Sequence, residues 1–132
     1  MQVRDAEILL GRILLAVLFL PGGIEKALGW PGIVHAIAAH GAPLPLLGGI
    51  IALICELLVT ALILFGVAVK PLAVILAIYT MGAAFIAHRY WQMAPPASII
   101  AHVNFYKNVA IAGGLLGLSA AGAGRLALWR NS

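Results

Sequence analysis

An acid in the middle of an apolar run constrains this chain most. Residues 48–66 read GGIIALICELLVTALILFG, with Glu56 near the centre. A run of this length and character predicts a helix that crosses a membrane. A carboxylate at the centre of such a helix costs about 2.5–3.5 kcal/mol on insertion scales. The surrounding Leu, Ile, Val and Phe return about 0.3–0.6 kcal/mol each and together outweigh it. The helix therefore inserts, and Glu56 is expected to face a polar partner or a wet cavity instead of lipid.

The remaining composition agrees. Of 132 residues, 64% are hydrophobic and 9% charged, where a soluble domain carries about 25% charged residues. The net charge of +4 comes from dispersed Lys and Arg near the ends of apolar runs, which orients a membrane chain and does not suit nucleic acid. A single cysteine, Cys55, excludes an internal disulfide and a C-x-x-C pair. The first apolar run does not read as a cleavable signal, because acids precede it and no small-residue cleavage site follows at the right distance.

The expected architecture is all-α: an integral membrane four-helix bundle, one domain over residues 1–132, with spans near 6–28, 46–65, 71–90 and 97–124. Asp5 reads as an N-cap of the first span, and Arg12 as a cation snorkelling to the near interface. Pro21-Gly22-Gly23 reads as a break in that span. Residues 30–45, WPGIVHAIAAHGAPLP, are too short and broken to span, and read as a short interfacial helix with Trp30 in the aromatic belt. In the fourth span, Gly113, Gly117 and Ala121 recur four apart, a small-residue seam that suits close helix contact within the bundle or in a homodimer.

Four spans leave both termini on one side, with Arg4, Arg12, Lys70, Arg125 and Arg130. Lys26, Arg89 and Lys107 lie towards the other, so the basic excess predicts cytoplasmic termini. All four histidines, His35, His40, His88 and His102, then fall on or near the outer side.

Charges within spans pair and face inward. Glu25, Lys26, Glu56, His88, Arg89, Asn104, Lys107 and Asn108 crowd the outer half of the bundle and form the candidate ligand pocket or buried ion-pair set. Lys107, about ten residues into span four, matches the depth of Glu56 and is the expected partner. A register-fixing ion pair and a pocket for a quinone headgroup or another small molecule both fit this set. No metal site is expected: His35 and His40 are five apart, which is not one helical face, and no carboxylate–histidine motif is local. The stripe Met81, Phe85, His88 reads as packing.

In order along the chain stand Phe19-x3-Gly23-x2-Lys26, Glu56, the Gly66 turn, His88, and Lys107-Asn108 opening a Gly-rich last span. This series resembles the DoxX family of small bacterial membrane proteins, with Pro21-Gly22 as a departure from its pattern. The resemblance implies a four-helix fold in a bacterial inner membrane and a tie to quinone-linked oxidoreductases, as a subunit or partner. Electrons would then come from a partner protein, since the chain carries no cysteine pair, nucleotide-binding glycine motif or metal set. A small-solute binding or transport protein, and a scaffold that recruits a soluble redox enzyme, are the alternatives.

Overall fold

Helix α1 (Val3–Leu28) turns one narrow stripe inward: Asp5, Ile8, Arg12, Ala16, Phe19 and Gly23 are its buried residues. Their spacing of three and four is that of a single helical face. In this computed structural model, which describes residues 2–128, the stripe packs against α3 (Pro45–Leu64). The short α2 (Gly32–Ala39) lies between them in sequence; α4 (Val69–Ala87), a 3₁₀ turn at Tyr90–Gln92 and α5 (Ala97–Ala121) follow. Among the described residues there is no strand.

Three segments, Val3–Leu28, Pro45–Leu64 and Val69–Gln92, are long and apolar enough to cross a membrane. At 25 residues, α5 is comparably long, about 37 Å at 1.5 Å per residue. Its polar first half, with Asn104, Lys107 and Asn108, keeps it from being as apolar as the other three.

Helix α5 runs antiparallel to α4 along its length. Ser119 Oγ donates to the Lys70 carbonyl at 2.7 Å, Asn108 Nδ2 to the Thr80 carbonyl at 3.3 Å, and the Tyr90 and Tyr106 hydroxyls lie 3.4 Å apart. Beyond them Phe85, Tyr90, Trp91, His102, Phe105 and Tyr106 form one aromatic cluster at the end away from the termini.

The chain ends meet at the opposite, proximal end. Asp5 Oδ2 accepts from the Gln2 N–H at 3.0 Å and Oδ1 from the Arg125 N–H at 3.2 Å. Asp5 is thus the third residue of a capping box with Gln2 as N-cap, not the cap itself. Arg12 does not snorkel. It is 1% exposed, and its guanidinium donates to the carbonyls of Leu64 (2.9 Å), Ile63 (3.5 Å) and Leu126. The Leu64 carbonyl, at the last residue of α3, is one that a helix end leaves over, so the arginine caps α3 and clamps the C-terminal segment beneath the bundle. Gly66 makes the approach workable: its φ is +80°, and a Cβ there would sit 2.7 Å from Arg12 Nη1. Arg130, counted above among the cations of this end, lies outside the described residues.

Pro21 does not break α1, which continues to Leu28. The glycines after it serve close approach instead. A Cβ at Gly23 would meet Leu57 Cδ2 at 2.8 Å and Glu56 Cβ at 2.9 Å, and one at Gly22 would meet Glu56 Oε1 at 3.0 Å. Among the described residues the Gly113–Gly117 seam meets no partner, since a Cβ at Gly113, Gly114 or Gly117 would have nothing within 4 Å.

Candidate functional site

Within α3, residues Ile54–Val59 form a π-helical segment. Such an insertion widens the helix by one residue and is frequent at functional sites. Here Cys55, Glu56, Val59 and Thr60 are all buried. Thr60 Oγ1 donates to the Cys55 carbonyl at 3.0 Å, five residues back. The Thr60 N–H reaches the same carbonyl in the π pattern, so the hydroxyl is a second donor there.

Glu56 is thereby aimed between α1 and α4. Lys26 Nζ donates to Oε1 at 2.9 Å, and the Tyr79 hydroxyl donates to Oε2. The side chains of Lys26 and Glu56 are 31% and 7% exposed. Both carboxylate oxygens are held by charge-assisted bonds, and the acid is neutralised by a cation that keeps contact with its surroundings. The expected Glu56–Lys107 pair is not formed. Lys107 is exposed, while its neighbour Asn108 takes the inward position and bonds to α4. The depth inferred for Lys107 suits the site; its direction around α5 does not.

A cavity of about 590 Å³ rises from this triad. Its polar lining is Lys26, Glu56, Tyr79, Thr80, His88 and Asn108; the walls are apolar, with Phe19 of α1, Ile51 and Ala52 of α3, Ala83 and Ile86 of α4, and Ile33 and Ile37 of α2. This volume lies within the common range for small-molecule sites, about 300–1,000 Å³. At its base the cavity offers donors. The carboxylate is engaged on both oxygens and Thr80 Oγ1 donates to the Leu76 carbonyl at 2.7 Å. Lys26 retains N–H groups beyond the one given to Glu56, and Asn108 retains one N–H beside its acceptor Oδ1. Such a site suits a ligand with an apolar body and an acceptor at its tip. On the proximal side the way is filled by Ile63, Val69, Leu76 and Leu115, each at most 2% exposed.

Of the eight residues singled out from the sequence, Lys26, Glu56, His88 and Asn108 meet at this cavity. Glu25 and Lys107 are exposed; Asn104 is half-buried and does not line it. Arg89 Nε donates to the Phe85 carbonyl at 2.6 Å, closing the end of α4. Sequence reasoning missed Tyr79, Thr80 and the roof of Ile33 and Ile37. A Tyr-Thr pair inside the apolar run ILAIYTMG was the available signal for the first two.

The DoxX family model matches residues 7–89, which carry α1 to α4 and so all of this cavity's lining except Asn108. The chain is 40% identical to the Inner membrane protein YphA of Escherichia coli (strain K12) over 97% of its own length and 91% of the relative's. It is 31% identical to the Inner membrane protein YqjF of the same organism, over 98% and 94%. No solved structure matches.

Proposed function

Since this chain belongs to the DoxX family, we propose that it is an integral inner-membrane protein whose cavity binds a quinone, as a subunit or partner of a membrane quinone-linked oxidoreductase system. The chain crosses the bilayer four times, with α5 as the fourth span, α2 at the outer interface and both termini cytoplasmic. Three apolar helices, the antiparallel course of α5 beside α4 and the meeting of the chain ends at Asp5 support the even count. Arg4, Arg12, Lys70 and Arg125 at the terminal end support the sidedness.

The observation that carries the ligand reading is the Lys26–Glu56–Tyr79 triad at the base of an apolar cavity. A quinone carbonyl accepts from the Lys26 ammonium or the Asn108 amide, and its ring lies against Phe19 and Ala83. The filled proximal half favours a binding pocket over a solute pathway. Electrons reach the quinone from a partner protein. Native mass spectrometry of the protein released from its own membrane tests this: a bound quinone that is lost in Glu56→Gln supports the reading. A polar solute in its place would favour the solute-binding alternative, and a co-purifying protein with no quinone the scaffold.

A further inference from the structure

The two halves of α3 take different neighbours. Ile54–Val59 and Thr60–Leu64 lie against α4, whereas the distal segment Pro45–Leu53 packs chiefly on α2 and also on α1. Gly48 and Gly49 permit that second contact: a Cβ at Gly49 would meet Val34 Cγ2 at 2.9 Å and the Trp30 ring at 3.1 Å, and one at Gly48 would meet Ile37 Cδ1 at 3.2 Å. The π segment lies where the partner changes, and insertions of this kind are among the identifiable causes of a sharp change in helix direction.

The distal halves of α3 and α4 are parted by the cavity, which both of them line. Ile51 lines the cavity and is 42% exposed. Gly82, across the gap on α4, also lines the cavity, is exposed, and has no atom within 4 Å of where its Cβ would stand. Ile86 continues the α4 edge, and Ile37 of α2 roofs the gap. Every one of these residues is apolar or glycine, and the two edges belong to segments long and apolar enough to cross a membrane. Hydrocarbon, not water, borders such an opening.

We propose that this gap is a lateral window to the bilayer, and that the cavity takes a membrane-borne amphiphile, with its chain lying in the window past Ile51 and Gly82 and its polar head at Lys26 and Glu56. The inference rests on the cavity being a ligand site and adds the route and the form of the ligand. An opening lined in this way admits what dissolves in acyl chains. A strongly hydrated solute would have to leave water to reach it. The polar groups lie at the base, so the head of the amphiphile goes in first and the chain trails into lipid.

Gly82→Phe tests the window. The added ring has open space to enter, so the bundle should fold as before, while Gly82→Ala leaves the window open. Parent and variants, in lipid nanodiscs, are titrated with a benzoquinone bearing a decyl chain and with the same head bearing a methyl group. Ligand-dependent thermal stabilisation is read in each case. Gly82→Phe should weaken binding of the decyl quinone at least tenfold and leave the methyl quinone within about twofold, with Gly82→Ala like the parent for both. Unchanged decyl-quinone binding in Gly82→Phe, with binding still lost in Glu56→Gln, would overturn the window and leave the pocket standing. Equal weakening of both quinones would place the effect at the head site and also overturn the window. No binding of either quinone to the parent would remove the pocket reading itself, and this inference with it.

Discussion

Lys26 and Glu56, thirty residues apart in sequence, meet at 2.9 Å across the α1–α3 contact, and the lysine is the more open of the two. The asymmetry sets what each loss should cost. Lys26→Met leaves a buried carboxylate with only the Tyr79 hydroxyl, an expected destabilisation of about 2–3 kcal/mol. Glu56→Gln leaves an ammonium that can turn towards its surroundings, and should cost about 1 kcal/mol. The double variant should recover part of the sum, and Lys107→Met should stay within about 0.5 kcal/mol. Equilibrium unfolding in detergent measures all four. Additive losses would show that Lys26 and Glu56 are not coupled.

Arg12 should be among the least replaceable residues of the proximal end. Its loss removes the donor that the Leu64 and Leu126 carbonyls share, while the Ile63 carbonyl keeps the Gly66 N–H. Arg12→Leu is expected to cost about 3 kcal/mol or more, and Arg12→Lys, which lacks the fork of donors, to restore only part. Limited proteolysis should show early cleavage in residues 122–128 once the clamp is gone. A tail as protected as the parent's would refute the clamp.

Thr60→Val keeps shape and removes the second donor to the Cys55 carbonyl, leaving the backbone N–H of residue 60 on it. The expected loss is about 0.5–1 kcal/mol, and Thr60→Ser should regain most of it. Because Cys55 is 5% exposed, its labelling by a maleimide reports opening of the π segment. The rate should rise severalfold in Thr60→Val and not in Thr60→Ser.

Two glycines should answer differently to added bulk. Gly23→Ala forces α1 off Leu57 and Glu56 and should cost about 1–3 kcal/mol. Gly117→Leu meets open space and should leave monomer stability within about 0.5 kcal/mol. Any effect of Gly117→Leu would instead appear as a change in self-association, read by light scattering.

Reporter fusions after Trp30, Lys70 and Gln92 and at the C-terminus should alternate outside, inside, outside, inside. An external C-terminus would remove α5 from the spans and reverse the sidedness drawn from the basic residues.

Most of the helix plan was legible in the chain itself. The expected spans at 6–28, 46–65 and 71–90 find α1, α3 and α4 in place, and residues 30–45 contain α2. Apolar run length and punctuation by Pro, Gly and polar residues are local properties, and a helix satisfies its own backbone without help from neighbours. That Glu56 needs a partner was equally legible, because an unpaired charge in an apolar helix is costly wherever the helix goes. Counting residues along a helix also put Lys107-Asn108 at a fitting depth.

The identity of the partner was decided by the tertiary structure. Depth follows from a rise per residue, but direction depends on how neighbouring helices turn and on irregularities that propensity does not encode. The π segment resets the direction of Glu56, and Gly22 and Gly23 let α1 come close enough for Lys26 to reach it. Packing with α4 then turns Asn108 inward and Lys107 outward on α5. Arg12 shows the same division. Its position near the start of a span was plain, yet whether it reaches the interface or three carbonyls depends on where α3 ends and the C-terminal segment returns, contacts 51 to 114 residues away.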